Sequence, residues 1–111
     1  MGSDQGPPGP IRNVATNTRR LIAICSKCGD KLGGGFGDDG RRPLAKLLRR
    51  TVPGTKGKRA TLRIIETKCL DICPKRGVAL LDSLQPGVVV IIAASTPLPV
   101  VMTGLDLAAA D

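Results

Sequence analysis

Arg19-Arg-Leu-Ile-Ala-Ile-Cys-Ser-Lys-Cys28 decides the fold: two arginines lead into the apolar run Leu21 to Ile24, and the run ends on two cysteines. A short unbroken apolar run bounded by charge and by turn-forming residues predicts a buried strand. The same order returns further on. Thr61 to Thr67, with Leu62, Ile64 and Ile65 apolar, leads into Cys69-Leu-Asp-Ile-Cys73. These two pairs hold every cysteine of the chain, and there is no histidine to build a different metal site. If the two strands share a sheet, four sulfurs can converge on one centre.

Working outward, Gly29 to Gly40 is loop by composition, with Gly33-Gly-Gly-Phe-Gly37 at its middle. This run lacks the Gly-Lys-Ser/Thr ending of a phosphate loop. It reads instead as a flexible segment whose backbone passes close to a metal and offers amide hydrogens to sulfur. A helix is expected next, with Asp38 or Asp39 near its start and Pro43 in its first turn. Leu44, Leu47 and Leu48 would form its buried face, and Lys46, Arg49 and Arg50 would face water. Gly77 to Asp82 predicts a third strand, Pro86-Gly87 a turn, and Val88 to Ala93 a fourth strand antiparallel to the third. Thr103 to Ala110 predicts a short terminal helix. The order β-α-β-(cysteine loop)-β-β-α predicts an α/β domain with a mixed four-stranded sheet and two or three helices. Its first two strands should be parallel through a right-handed crossover.

The 111 residues fit one domain, and residues 1–18, rich in Gly and Pro, predict a flexible leader before a folded unit over residues 19–111. With one Phe and no Trp or Tyr, the core is aliphatic and short of the area that aromatic side chains bury. A metal bound only by the folded state would add to its stability. Near Met1 no charged start is followed by an apolar stretch of the signal-peptide kind. Val88 to Met102 is too interrupted by Ser95, Thr96, Pro97 and Pro99 to span a bilayer. The expectation is a soluble, cytoplasmic protein with no membrane contact, in a compartment that keeps thiols reduced.

Net charge is +8, and nine basic residues fall between Arg41 and Arg63 with no acid among them. Nucleic acid is disfavoured, because no aromatic side chains are interleaved for base stacking. A solvated helix face that serves simple solubility fits best, followed closely by one that also steers an acidic redox partner protein toward the site. A homodimer stays open.

For the cysteines Cys25, Cys28, Cys69 and Cys73, four thiolates suit an iron–sulfur cluster or a structural zinc. The long gap between the pairs and the three residues inside the second pair favour iron–sulfur, with Zn²⁺ as the alternative. Disulfides remain a third state, with three pairings. A catalytic dithiol is disfavoured: such chemistry wants its first cysteine at a helix N-terminus, whereas a glycine-rich stretch follows Cys28 here. Glu66, the only glutamate, reads as a strand-end surface residue or a neighbour of the metal ligands. No other acid–base or nucleophilic group suggests catalysis.

These residues resemble the thioredoxin-like [2Fe–2S] ferredoxins. The match lies in Ile24-Cys-Ser-Lys-Cys28, in Gly33 to Gly37, in the helix bearing Leu44 and Leu48, and most sharply in Glu66-Thr-Lys-Cys-Leu-Asp-Ile-Cys-Pro-Lys-Arg-Gly-Val-Ala79. It covers about Leu21 to Ala93. The resemblance implies a thioredoxin-like sandwich and a [2Fe–2S] cluster near the surface. Cys25, Cys28, Cys69 and Cys73 would be its ligands, one pair to each iron. The implied activity is one-electron transfer without substrate turnover, in a free carrier or a subunit of a larger complex.

Overall fold

The computed structural model describes residues 10–107. The strand β1 (Arg20–Cys25) is followed directly by a short helix α1 (Ser26–Lys31). Next come two short strands, β2 (Gly35–Phe36) and β3 (Arg42–Pro43), and the helix α2 (Leu44–Thr51). Strands β4 (Leu62–Thr67), β5 (Gly77–Asp82) and β6 (Val89–Ala93) precede the last helix, α3 (Leu98–Gly104). The four long strands form one mixed sheet in the order β4-β1-β5-β6. β1 runs parallel to β4, in a register that sets Cys25 beside Thr67. β5 pairs antiparallel with both β1 and β6.

Side chains alternate between the two faces of a strand, and here the faces differ. Ile22, Ile24, Leu62, Ile64, Val78 and Leu80 point one way and are buried. They share one core with Leu44 and Leu48 of α2 and with Val101, Met102 and Leu105 at α3. On the other face, register lines up Ile65, Ala23, Leu81 and Val89 across all four strands. Here Ile65, Leu81 and neighbouring Ile91 are 40%, 39% and 51% exposed. The helices therefore cover one side of the sheet and leave an apolar row open on the other.

Three expectations need correction. Gly33 to Gly37 is not a loose segment beside sulfur. Gly35 and Phe36 pair with Pro43 and Arg42 in a small antiparallel ladder, and Phe36 is 1% exposed in the core. Gly34 sits at φ 100°, where a Cβ would lie 2.1 Å from the Arg41 carbonyl oxygen, so the approach itself demands glycine. Because Arg42–Pro43 belongs to this ladder, α2 starts only at Leu44, after the aspartates, with Pro43 at its N-cap. The terminal helix starts at Leu98 rather than Thr103, with Pro97 as N-cap and Pro99 in its first turn. Those prolines, read in the sequence as interruptions, suit a helix start because no intrahelical N–H is needed there.

Residues 108–111, the end of the expected terminal helix, and residues 1–9 of the expected leader lie outside the described residues. The rest of that leader reaches the fold at Thr18, whose hydroxyl donates to the Ala60 carbonyl at 3.2 Å and accepts from Arg63 Nε at 2.9 Å.

At the end of the sheet away from the cysteines, Asp82 is buried and bound by Arg20. Nε donates to Oδ1 at 3.0 Å and Nη2 to Oδ2. Arg20 Nη2 also donates to the Leu105 carbonyl at 2.7 Å, tying α3 to β1. The Arg20 hydrogen bond is the main cause holding the Asp82 carboxyl below its ordinary range. Burial opposes it, and the Leu84 N–H and the guanidinium charge assist it. Bidentate pairing of this kind is the strong form of charge-assisted hydrogen bond. Among the described residues no helix is long and apolar enough to cross a membrane.

Candidate metal centre

The parallel pairing of β1 with β4 brings together segments far apart in sequence. Cys25 ends β1, Cys28 lies within α1, and Cys69 and Cys73 lie on the irregular connection from β4 to β5. Three bonds fasten the two segments. The Ser26 hydroxyl donates to the Thr67 carbonyl at 2.7 Å. The Lys27 N–H and the Cys25 thiol both donate to the Lys68 carbonyl, at 3.4 Å each. The sheet thus gathers both cysteine pairs at one end, as the two strand runs imply.

The pairs are held differently. Cys25 and Cys28 are buried within the core cluster, whereas Cys69 and Cys73 are exposed. Burial acts to raise the Cys25 thiol pKa. Hydrogen bonds from the N–H and side chain of Cys28, and from the N–H groups of Leu70 and Lys27, outweigh it and hold that pKa below the ordinary value. Cys28 moves up. Burial is the main cause, partly offset by the Ala79 N–H and reinforced by the hydrogen bond with Cys25 and by repulsion from Cys25 and Cys73. Cys73 therefore stands near the buried pair. Cys69 turns to its own loop, where its sulfur accepts from the Asp71 N–H at 3.3 Å.

Asp71 and Arg76 hold positive φ, 61° and 52°. For residues other than glycine this conformation stores strain, and such strain clusters at binding sites. Among the described residues, no group of three or more His, Cys, Asp or Glu side chains is arranged to hold a metal ion as it stands. Closing four sulfurs on one centre requires the exposed pair to move. The surroundings nonetheless fit a thiolate-bound group. A backbone amide already reaches the Cys69 sulfur, and Thr67 Oγ1, on the residue paired with Cys25, is buried without a hydrogen-bond partner.

The expected lack of a helix start at the first cysteine does not hold. A helix does begin at Cys25, which occupies the N-cap of α1. The sequence hid it because Ser26-Lys-Cys-Gly-Asp-Lys31 carries no apolar period. What now weighs against dithiol chemistry is burial. Cys25 is 1% exposed, and a nucleophilic thiolate needs access.

Five cations surround the cysteines and were not singled out in the sequence: Lys27 and Lys31 on α1, and Lys68, Lys75 and Arg76 on the connection. All are exposed. Between Cys28 and Cys73 opens a cleft of about 470 Å³, lined also by Lys31, Lys75, Arg76, Leu32 and Pro74. In the window from Arg41 to Arg63, by contrast, Arg49 does not face water alone: its Nε donates to the Ile64 carbonyl at 2.9 Å. Arg63 is likewise engaged, with Thr18 and with the Gly57 carbonyl. No family model, no curated protein and no solved structure matches this chain.

Proposed function

We propose that this chain is a small [2Fe–2S] electron-transfer protein on a thioredoxin-like fold, with Cys25, Cys28, Cys69 and Cys73 as ligands. The observation that carries the reading is the convergence of both cysteine pairs on one end of the sheet through parallel neighbouring strands. The strand order β4-β1-β5-β6, with one parallel and two antiparallel pairings, supports the thioredoxin-like part. When bound, the cluster supplies a one-electron couple whose potential depends on hydrogen bonds to sulfur and on exposure. The chain's own contribution is to hold one pair of sulfurs within the core. It directs the Asp71 N–H to the Cys69 sulfur and leaves the second pair at the surface.

The test is a visible spectrum of anaerobically purified protein before and after dithionite, with iron and zinc counted on the same sample. Red-brown colour that bleaches, with about two irons per chain, is the expected result. A colourless protein with about one zinc, refractory to reconstitution with iron and sulfide, would replace the carrier with a closed structural site.

A further inference from the structure

We infer that the partner of this chain is a protein presenting a carboxylate-bearing segment, and that it docks at the cysteine end rather than along the basic window of residues 41–63. The two segments that carry the cysteines, residues 25–31 and residues 68–76, hold Lys27, Lys31, Lys68, Lys75 and Arg76 against only Asp30 and Asp71. Among the described residues the one ion pair is Arg20–Asp82, so none of these five cations is ion-paired with a described acid. Three of them line the cleft between Cys28 and Cys73, which no acid lines. A concave site with one sign of charge on low-dielectric walls concentrates the field and draws the opposite charge.

Apolar surface lies at the same place. Ile72, between Cys69 and Cys73, is 39% exposed, and Leu32 and Pro74 face the cleft. An exposed apolar anchor inside a charged rim is the anatomy of a protein–protein contact, in which the rim sets encounter and the anchor sets residence. The basic window is less suited. Two of its arginines are turned to backbone carbonyls, and the larger cleft beside it mixes Asp38 and Asp39 with Arg42 and Arg50.

The electron-carrier reading explains why a partner should meet this end. The docking itself is tested without it. A fluorescent ten-residue glutamate peptide, titrated against the full-length chain at low ionic strength, serves as the probe. Lys31→Glu/Lys75→Glu should weaken binding about tenfold, and the charge-matched control Lys46→Glu/Arg50→Glu by less than about threefold. Ile72→Ser, which leaves all charge in place, should raise the dissociation rate about threefold with little change in association.

Equal losses in the two charge variants would overturn the assignment to this end. So would displacement of the peptide by low-millimolar inorganic phosphate, which would mark a simple anion site. Tighter binding of single-stranded DNA than of the peptide would mean a nucleic-acid surface instead. Selective peptide binding by a colourless protein would leave the docking site standing while the carrier reading fails; a bleachable cluster with no preference between the variants would do the reverse.

Discussion

Cys25 and Cys28 belong to the core, on a strand end and a helix, whereas Cys69 and Cys73 belong to the surface, on a connection that holds two residues at positive φ. The same residue type thus sits in two mechanical settings at one end of the sheet. The first pair is fixed by everything that fixes the fold: strand pairing, the small ladder under α2, and contact with the cluster of buried aliphatic side chains. The second pair is fixed by its own loop. A cofactor spanning both would have one half set by the core and the other half adjustable from outside, next to the cationic cleft. The contrast also separates what stability reads from what solvent reads.

The widest contrast should appear in alkylation of the metal-free chain, followed cysteine by cysteine by mass spectrometry. Cys69 and Cys73 should react roughly a thousandfold faster than Cys25 and Cys28, whose modification waits for an opening of the structure. Four similar rates would erase the distinction between the pairs. Next in size, Gly34→Ala attacks the β2–β3 ladder, which sets Phe36 in the core cluster that also holds the first pair. Its methyl would have to displace the Arg41 carbonyl at a φ that L-residues rarely adopt. A loss of about 4 kcal/mol in denaturant unfolding is expected, and a loss under about 1 kcal/mol would mean that the ladder yields freely.

Asp82→Asn tests the opposite end of β1. It leaves the mostly buried Arg20 guanidinium without its counter-charge, at roughly 3 kcal/mol. The pH dependence has a definite sign. The folded carboxyl titrates below its ordinary value of 3.8, so its contribution is complete above that value and is lost as pH falls through the lower folded one. Below that range the wild-type and Asp82→Asn proteins should converge in stability, and a constant gap down the acid limb would contradict the assignment. The smallest effect is the most pointed. In the metal-free chain Cys25→Ala should cost about 1 kcal/mol from lost core packing, while Cys73→Ala should stay within about 0.5 kcal/mol. Equal costs would place both pairs in the same setting.

The long strands were legible because their signal is strong and local. Leu21 to Ile24 and Val78 to Leu81 are continuous apolar runs with clear ends, and their shortness suits a strand rather than a helix. The short elements were not. α1 spans six residues with glycine and no apolar repeat, and β2 and β3 span two residues each. Tertiary contact, not propensity, makes these elements. The expected glycine loop turned out to be a close-packed ladder because sequence shows that glycine permits an approach without showing what approaches.

The four cysteines could be found by type and spacing alone. Their division into a buried and an exposed pair could not, since it depends on which segment follows a strand into a helix. Asp82 left one trace, an acid closing an apolar strand in a chain whose first strand opens on arginines. The cationic rim was split in the sequence between two segments, and only the parallel pairing of β1 and β4 joins it.

That pairing also sets an order of events in folding. Parallel neighbours cannot be joined by a tight hairpin, and all of residues 26–61 must be laid down before β4 can find β1. Contacts of such separation pay their loop-closure entropy before they return any stabilisation, and they form late. Until they do, Cys25 and Cys28 are an unshielded dithiol on an unfinished chain, with the loop bearing Cys69 and Cys73 not yet in reach. The burial that protects the first pair in the finished fold is therefore acquired only when its partner strand arrives, so the interval of greatest exposure to oxidants precedes the native state.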